Sequence, residues 1–231
     1  MVALVLFLGF VPGFAWLIFY IKEEETHPEP KRLILFAFTA GIVFGFVAVL
    51  LENLFADATR GDVGVFSIAA LVVFALIEET AKFSAAYLAI GKSRIAKNPV
   101  DLMIYLIVAA LGFATLENIG SLVTFWLAAS TTGTTASFAA SFAEALSLRF
   151  VGATLLHSLT SGIVGYHWAL GVLRHKMARY LITGLLIATV LHTFFNLLIL
   201  NYGSVAYALV FLTLLGFFVL NDFEKLKTAP Q

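Results

Sequence analysis

The sequence predicts an all-α fold, a polytopic membrane helix bundle of about seven transmembrane helices, and three observations predict it. The 231 residues are 61% hydrophobic and only 12% charged, whereas a soluble domain carries about 25% charged residues. Apolar runs long enough to cross a hydrocarbon core of about 30 Å recur along the chain. The basic residues collect in alternate loops between those runs. With no internal repeat and no soluble appendage visible, residues 1–231 read as one membrane-embedded domain.

The first run, Val2 to Ile21, holds Pro12-Gly13, a candidate kink. No basic segment precedes it and no small-residue cleavage site follows, so it reads as a retained helix. Leu33 to Leu51 is the second run and Val65 to Ile90 the third. The fourth is Leu102 to Leu127, the fifth lies within Ser147 to Leu173, the sixth is Tyr180 to Leu200, and the last is Val205 to Leu220. Residues 130–146 are rich in Thr, Ser and Ala, with Phe138, Phe142 and Leu146 at four-residue spacing. That stretch reads as a loop packed over the bundle, or as an outer interfacial helix. Residues 221–231 read as a tail.

Lys22, Lys31 and Arg32 follow the first run, and Lys92, Arg94 and Lys97 the third. Arg174, Lys176 and Arg179 follow the fifth, and Lys225 and Lys227 stand in the tail. Only Arg60 and Arg149 occupy the other loops. The positive-inside rule therefore places the N-terminus outside and the C-terminus in the cytosol. A net charge of zero with no basic face argues against nucleic acid as a partner. Membrane lipid is the expected surrounding. The absence of cysteine removes thiolate nucleophiles and sulfur-ligated zinc.

The polar residues inside the apolar runs are few. The third run holds Glu78, Glu79 and Lys82, with Lys82 three and four positions after the two acids and so on the same helix face. Glu117 and Asn118 lie in the fourth run, His157 in the fifth, and His192 with Asn196 in the sixth. An ionisable group at mid-bilayer costs about 2.5–3.5 kcal/mol on insertion scales, so these residues must face protein or water. A lone histidine there is most often a packing residue, but four successive helices each carrying an ionisable group is a different pattern. Counted from the outer end of each helix they lie at similar depth, about 8–14 residues in, or roughly 12–21 Å.

Three carboxylates against one ammonium leave an excess that protonation or a divalent cation must relieve. With imidazoles and carboxylates as the donors, zinc is the natural ion, and a metal-free glutamate pair sharing protons is the alternative. There is no H-E-x-x-H pair. A Ser161–His192 pair lacks the small residue expected two positions before a nucleophilic serine.

Glu78-Glu79-Thr80-Ala81-Lys82 resembles the E-E-x-x-K motif of the PrsW family of intramembrane proteases, within the wider CAAX-protease/PrsW superfamily. Phe113 to Asn118 is similar to that family's F-x-x-x-E-N motif, and His157 and Leu191 to Asn196 are similar to its two later histidine motifs. Pro12-Gly13, Tyr20, the Pro28-Glu29-Pro30 turn and Asp101 fit the family's opening segment and its fourth helix. At Asn196 the family often carries an acid, and asparagine there resembles the related CAAX-type proteases.

The resemblance implies peptide-bond hydrolysis at a prokaryotic cell membrane. Its expected substrate is a membrane-anchored protein, such as the anti-sigma factor that a site-one protease of the family cuts. It implies Glu78 as general base, or as metal ligand with Glu79 as base. Glu117, His157 and His192 would bind the metal, Lys82 would hold the spare carboxylate, and Asn196 would donate to the oxyanion. Asp101 is assigned to a helix start. A non-catalytic membrane scaffold and a proton- or ion-coupled transporter are the competing classes.

Overall fold

The computed structural model describes residues 2–23, 29–59, 63–64, 66–90, 98–132, 152–202 and 205–228. Among them stand seven helices: α1 (Val2–Glu23), α2 (Lys31–Ala58), α3 (Ile68–Ile90), α4 (Pro99–Thr132), α5 (Thr154–Leu173), α6 (Met177–Tyr202) and α7 (Val205–Lys227). Five of them, α1, α2, α4, α6 and α7, are long and apolar enough to cross a membrane by length and composition alone. The other two, α3 and α5, carry Glu78, Glu79 and Lys82 and the polar run from His157 to Ser161. The chain is an integral multi-pass membrane protein.

Helix starts and stops follow local chemistry. Ser67 caps α3, its Oγ accepting the Ala70 N–H at 3.2 Å. At the start of α4, Asp101 Oδ2 accepts the Asn98 N–H at 2.9 Å while Asp101 N–H returns to the Asn98 carbonyl at 3.1 Å. This reciprocal pair satisfies donors that the first turn otherwise leaves open. The end of α5 is closed by His175 at φ 52°, with Lys176 N–H bonded to the Gly171 carbonyl and His175 N–H to that of Val172. That pattern is a Schellman turn built without glycine. The sequence pattern misjudged several ends. Helix α1 runs unbroken through Pro12, α2 extends beyond Leu51 to Ala58, and α7 extends beyond Leu220 to Lys227. The 130–146 stretch lies almost wholly outside the described residues.

Helix α4 is the central post. Its side chains from Val100 through Thr115 are buried against the other helices. Because lipid tails are as apolar as the side chains, helices here associate through close backbone packing at small residues. A Cβ on Gly41 of α2 would overlap the Ala109 carbonyl of α4, and one on Gly112 of α4 would overlap the Phe38 carbonyl of α2. The contacts Phe38–Gly112 and Gly45–Leu116 advance together along both helices, so α2 and α4 run in the same direction. Gly9 meets Ile119 and Gly13 meets Thr115, so α1 runs against α4. Helix α5 also opposes α4, since Asn118 bonds Thr154 while Gly165 meets Met103.

Successive helices therefore alternate in direction. Lys22, Lys31, Arg32, Arg174, Lys176, Arg179, Lys225 and Lys227 all lie at one end of the bundle, the end that the positive-inside rule assigns to the cytosol. Large apolar side chains such as Leu35, Phe46, Val190 and Phe217 are exposed on α2, α6 and α7, as lipid-facing surfaces require.

Candidate active site

The ionisable residues of α3, α4, α5 and α6 meet in one buried cluster. Helix α3 presents two of them from adjacent positions, with Glu78 8% and Glu79 1% exposed. Their depths agree across helices. Glu78 is ten residues in from Ile68, and His192 is ten residues back from Tyr202, both about 15 Å at 1.5 Å per residue.

Glu79 is the anchor. Its Oε1 accepts Lys82 Nζ–H at 2.6 Å and His192 Nδ1–H at 2.8 Å, with Thr160 Oγ1 at 3.0 Å. A carboxylate can only accept, so the proton of neutral His192 sits on Nδ1 and its Nε2 keeps a lone pair. That Nε2 lies 3.7 Å from Glu78 Oε2. His157 is held in the same manner from α4, its Nε2–H donating to Glu117 Oε2 at 2.7 Å. Its Nδ1 accepts from Lys82 Nζ at 2.9 Å and stands 3.8 Å from Glu78 Oε2. The two imidazoles meet edge to face at 5.1 Å between centroids. Phe113 closes the cytosolic side, lying under Lys82 at 5.3 Å and beside His157 at 5.6 Å.

Glu78 Oε2 and Glu79 Oε2 are buried with no hydrogen-bond partner among the described residues. Ligand atoms of Glu78, His157 and His192 lie within 4.8 Å of one another. A tetrahedral ion at bond lengths of about 2.0–2.1 Å sets its ligands roughly 3.4 Å apart, so small shifts would close this group on a metal. The donor set is two imidazoles and one carboxylate with a position to spare, the catalytic zinc pattern. Each imidazole also donates its other N–H to a carboxylate, the arrangement that fixes a ligand's tautomer. The residues fit a divalent ion, with one adjustment: Lys82 must release His157 Nδ1, and Glu79 remains as its partner.

Of the residues singled out from the sequence, Glu78, Glu79, Lys82, Glu117, His157 and His192 lie together in the structure. Glu117 stands behind His157, on the ring nitrogen away from Glu78, and is outside the group whose atoms converge. Asn196 is half-buried on α6 one turn beyond His192, and no hydrogen bond reaches it among the described residues. Asp101 lies far from the cluster at the cytosolic start of α4, where it has its structural role. Two residues escaped the sequence reading. Thr160, one turn after His157, touches Glu79, and only its helical spacing from His157 could have flagged it. Glu52 of α2 interacts electrostatically with Glu117, Lys82 and Glu78, and it hid at the end of an apolar run.

A curated protein of Geobacillus kaustophilus, named "Protease PrsW", is 31% identical over 111 residues, 48% of this chain and 48% of that protein. The chain thus spans about half the length of the curated relative it matches. No solved structure matches it. The family model for PrsW family intramembrane metalloproteases matches residues 29–220. Every residue of the Glu–His cluster falls within that span, and the chain belongs to the PrsW family.

Proposed function

We propose that this chain is an intramembrane endopeptidase that hydrolyses a peptide bond of a membrane-anchored protein, with a divalent metal, zinc by donor chemistry, as cofactor. The observation that carries this reading is the convergence of Glu78, His157 and His192 in the buried heart of the bundle. Family membership supports the same reading, and the anti-sigma-factor class of substrate rests on the family resemblance. Glu78 Oε2, His157 Nδ1 and His192 Nε2 would hold the ion. When bound, such an ion polarises the scissile carbonyl and makes water a nucleophile near neutral pH.

The chain's own groups set up the rest. Glu79 is tethered through Oε1 and keeps Oε2 unpartnered, so Oε2 is the atom able to take a proton from the attacking water and pass it to the leaving amine. Lys82 holds that carboxylate in position and offsets its charge. Glu117 fixes the His157 ring. Asn196, one turn beyond His192, would donate to a developing oxyanion, a role worth about 3–4 kcal/mol in other hydrolases.

A second reading has one observation in its favour. Lys82 Nζ sits 2.9 Å from His157 Nδ1, the nitrogen a metal would need, which suits a metal-free cluster in which glutamates alone move protons.

The test reconstitutes the full chain in liposomes with a library of single-span peptides. Glu78→Ala and His192→Ala are expected to abolish the cleavage seen with wild type while both variants still insert. Unchanged cleavage in both variants would remove the site.

A further inference from the structure

A threonine inside an α-helix ordinarily satisfies its hydroxyl on the carbonyl four residues back. Thr39, Thr115, Thr183 and Thr213 do so here, at 2.8–2.9 Å. Thr160 departs from them. Its Oγ1 stands 3.1 Å from the Leu156 carbonyl and 3.3 Å from that of His157, but 3.0 Å from Glu79 Oε1, 81 positions away on α3. A hydroxyl has one proton to donate. The carboxylate is the nearest of the three acceptors and the only charged one, and a hydrogen bond to an ionised acceptor is roughly twice as strong as a neutral one. The proton goes to Glu79. Thr160 is 0% exposed, so this bond forms out of reach of bulk water.

Glu79 Oε1 therefore collects three donors, Lys82 Nζ, His192 Nδ1 and Thr160 Oγ1, while Oε2 has none among the described residues. A carboxylate turns about its last bond, a broad and roughly two-fold torsion, and exchanging its oxygens here would break all three bonds. The three restraints differ in kind. Lys82 lies on the same helix as Glu79 and ends a flexible four-carbon stem. His192 grips from α6, the helix it occupies as a candidate metal ligand. On α5 the other histidine ligand makes no such link, because His157 meets Glu117 through Nε2 and Lys82 and Glu78 through Nδ1. Thr160, one turn along α5, supplies it. The side chain is short and β-branched, which restricts χ1, so it carries the position of α5 to Glu79 with little play.

We propose that Thr160 is a positioning residue of the hydrolytic site: its hydroxyl ties Glu79 to α5, so that Oε1 is held and Oε2 stays the oxygen that moves the proton. This rests on the protease reading above and deepens it. Among the described residues the hydrogen bonds of Thr160 reach only Glu79 and its own helix. It acts through Glu79, not on substrate and not on the three converging ligand atoms. Removing the hydroxyl therefore slows turnover while substrate capture and metal retention stay as in wild type.

The test uses a peptide cleaved by wild type in the liposome assay. Thr160→Val keeps the size and the β-branch and removes the hydroxyl. It should lower kcat by roughly tenfold to a hundredfold, the scale of one hydrogen bond to a charged group. KM should stay within about twofold, and bound metal per chain should match wild type. Thr160→Ser, which keeps the hydroxyl, should recover kcat to within about threefold of wild type. A merely structural threonine would move KM, metal content and kcat together, and serine would give no selective rescue. Should Thr160→Val fail to insert, Thr160→Ala against Thr160→Ser decides the matter, since these two differ by the hydroxyl alone. A kcat loss below about tenfold on removing the hydroxyl overturns the proposal, as does a serine variant no faster than the valine or alanine one. If the protease reading itself is wrong, the result differs, because wild type then cleaves no peptide or Glu78→Ala cleaves as well as wild type.

Discussion

Removing the single cation from the buried cluster is the sharpest test of how the cluster is built. Lys82 and Glu79 side chains are both 0% exposed, with Nζ and Oε1 2.6 Å apart. At an effective dielectric of about 20, two unit charges at that distance attract by about 6 kcal/mol. Desolvation of both groups offsets much of that, so the pair contributes far less to stability than its attraction suggests. Breaking it is another matter. Lys82→Met leaves the Glu79 carboxylate buried with only His192 and Thr160 as donors, and removing one partner of a buried pair costs about 3–5 kcal/mol. Glu79→Gln leaves the ammonium with His157 alone and should cost about as much. The double variant leaves neither charge, so its loss should fall short of the summed single losses by about 2–3 kcal/mol. Unfolding of the purified protein in mixed micelles, followed by tryptophan fluorescence, measures all four corners of the cycle. Additive losses, within about 0.5 kcal/mol, would refute the pairing.

Two further predictions concern the cytosolic end. Glu29 packs against Asp101 and the Tyr105 hydroxyl, and burial, reinforced by the Asp101 carboxylate and opposed by the Tyr105 hydrogen bond, raises its pKa from 4.5 to about 7. The folded protein then holds this proton more tightly than the unfolded chain does. Its contribution to stability is full below about pH 4.5 and is lost as pH rises through about 7. Glu29→Gln should flatten that stretch of the stability–pH curve and make the variant the more stable protein at pH 8. Parallel curves for the two proteins in a thermal-melt series would contradict this. His175→Gly, at the left-handed end of α5, should raise stability by about 0.5–1 kcal/mol, since glycine adopts that conformation without a Cβ clash. A lower melting temperature would count against it.

The bundle was legible because lipid imposes a simple rule, that apolar runs of spanning length become helices. The rule reads composition and not packing, which is why it stopped α2 at Leu51 and α7 at Leu220. Both helices continue through residues with charge, Glu52 and Asp57 in one and Asp222 to Lys227 in the other. The early stop on α2 is what concealed Glu52. In the site, the identities of Glu78, Glu79, Lys82, His157 and His192 were legible, because an ionisable residue amid apolar neighbours is conspicuous. Their pairing was not. Lys82 reaches His157 across 75 positions and His192 reaches Glu79 across 113, contacts set by how α3, α5 and α6 pack. In the same way, sequence gives the depth of Glu117 but not which face of His157 it meets.

Metal content of the purified chain, determined by elemental analysis beside peptide cleavage, tests the central claim most directly. The account predicts one divalent ion per wild-type chain, lost together with activity in Glu78→Gln and His192→Ala. Glu79→Gln should retain metal but not turn over, and chelation should silence wild type until zinc is restored. A wild-type protein that cleaves peptide without bound metal and ignores chelators would contradict it.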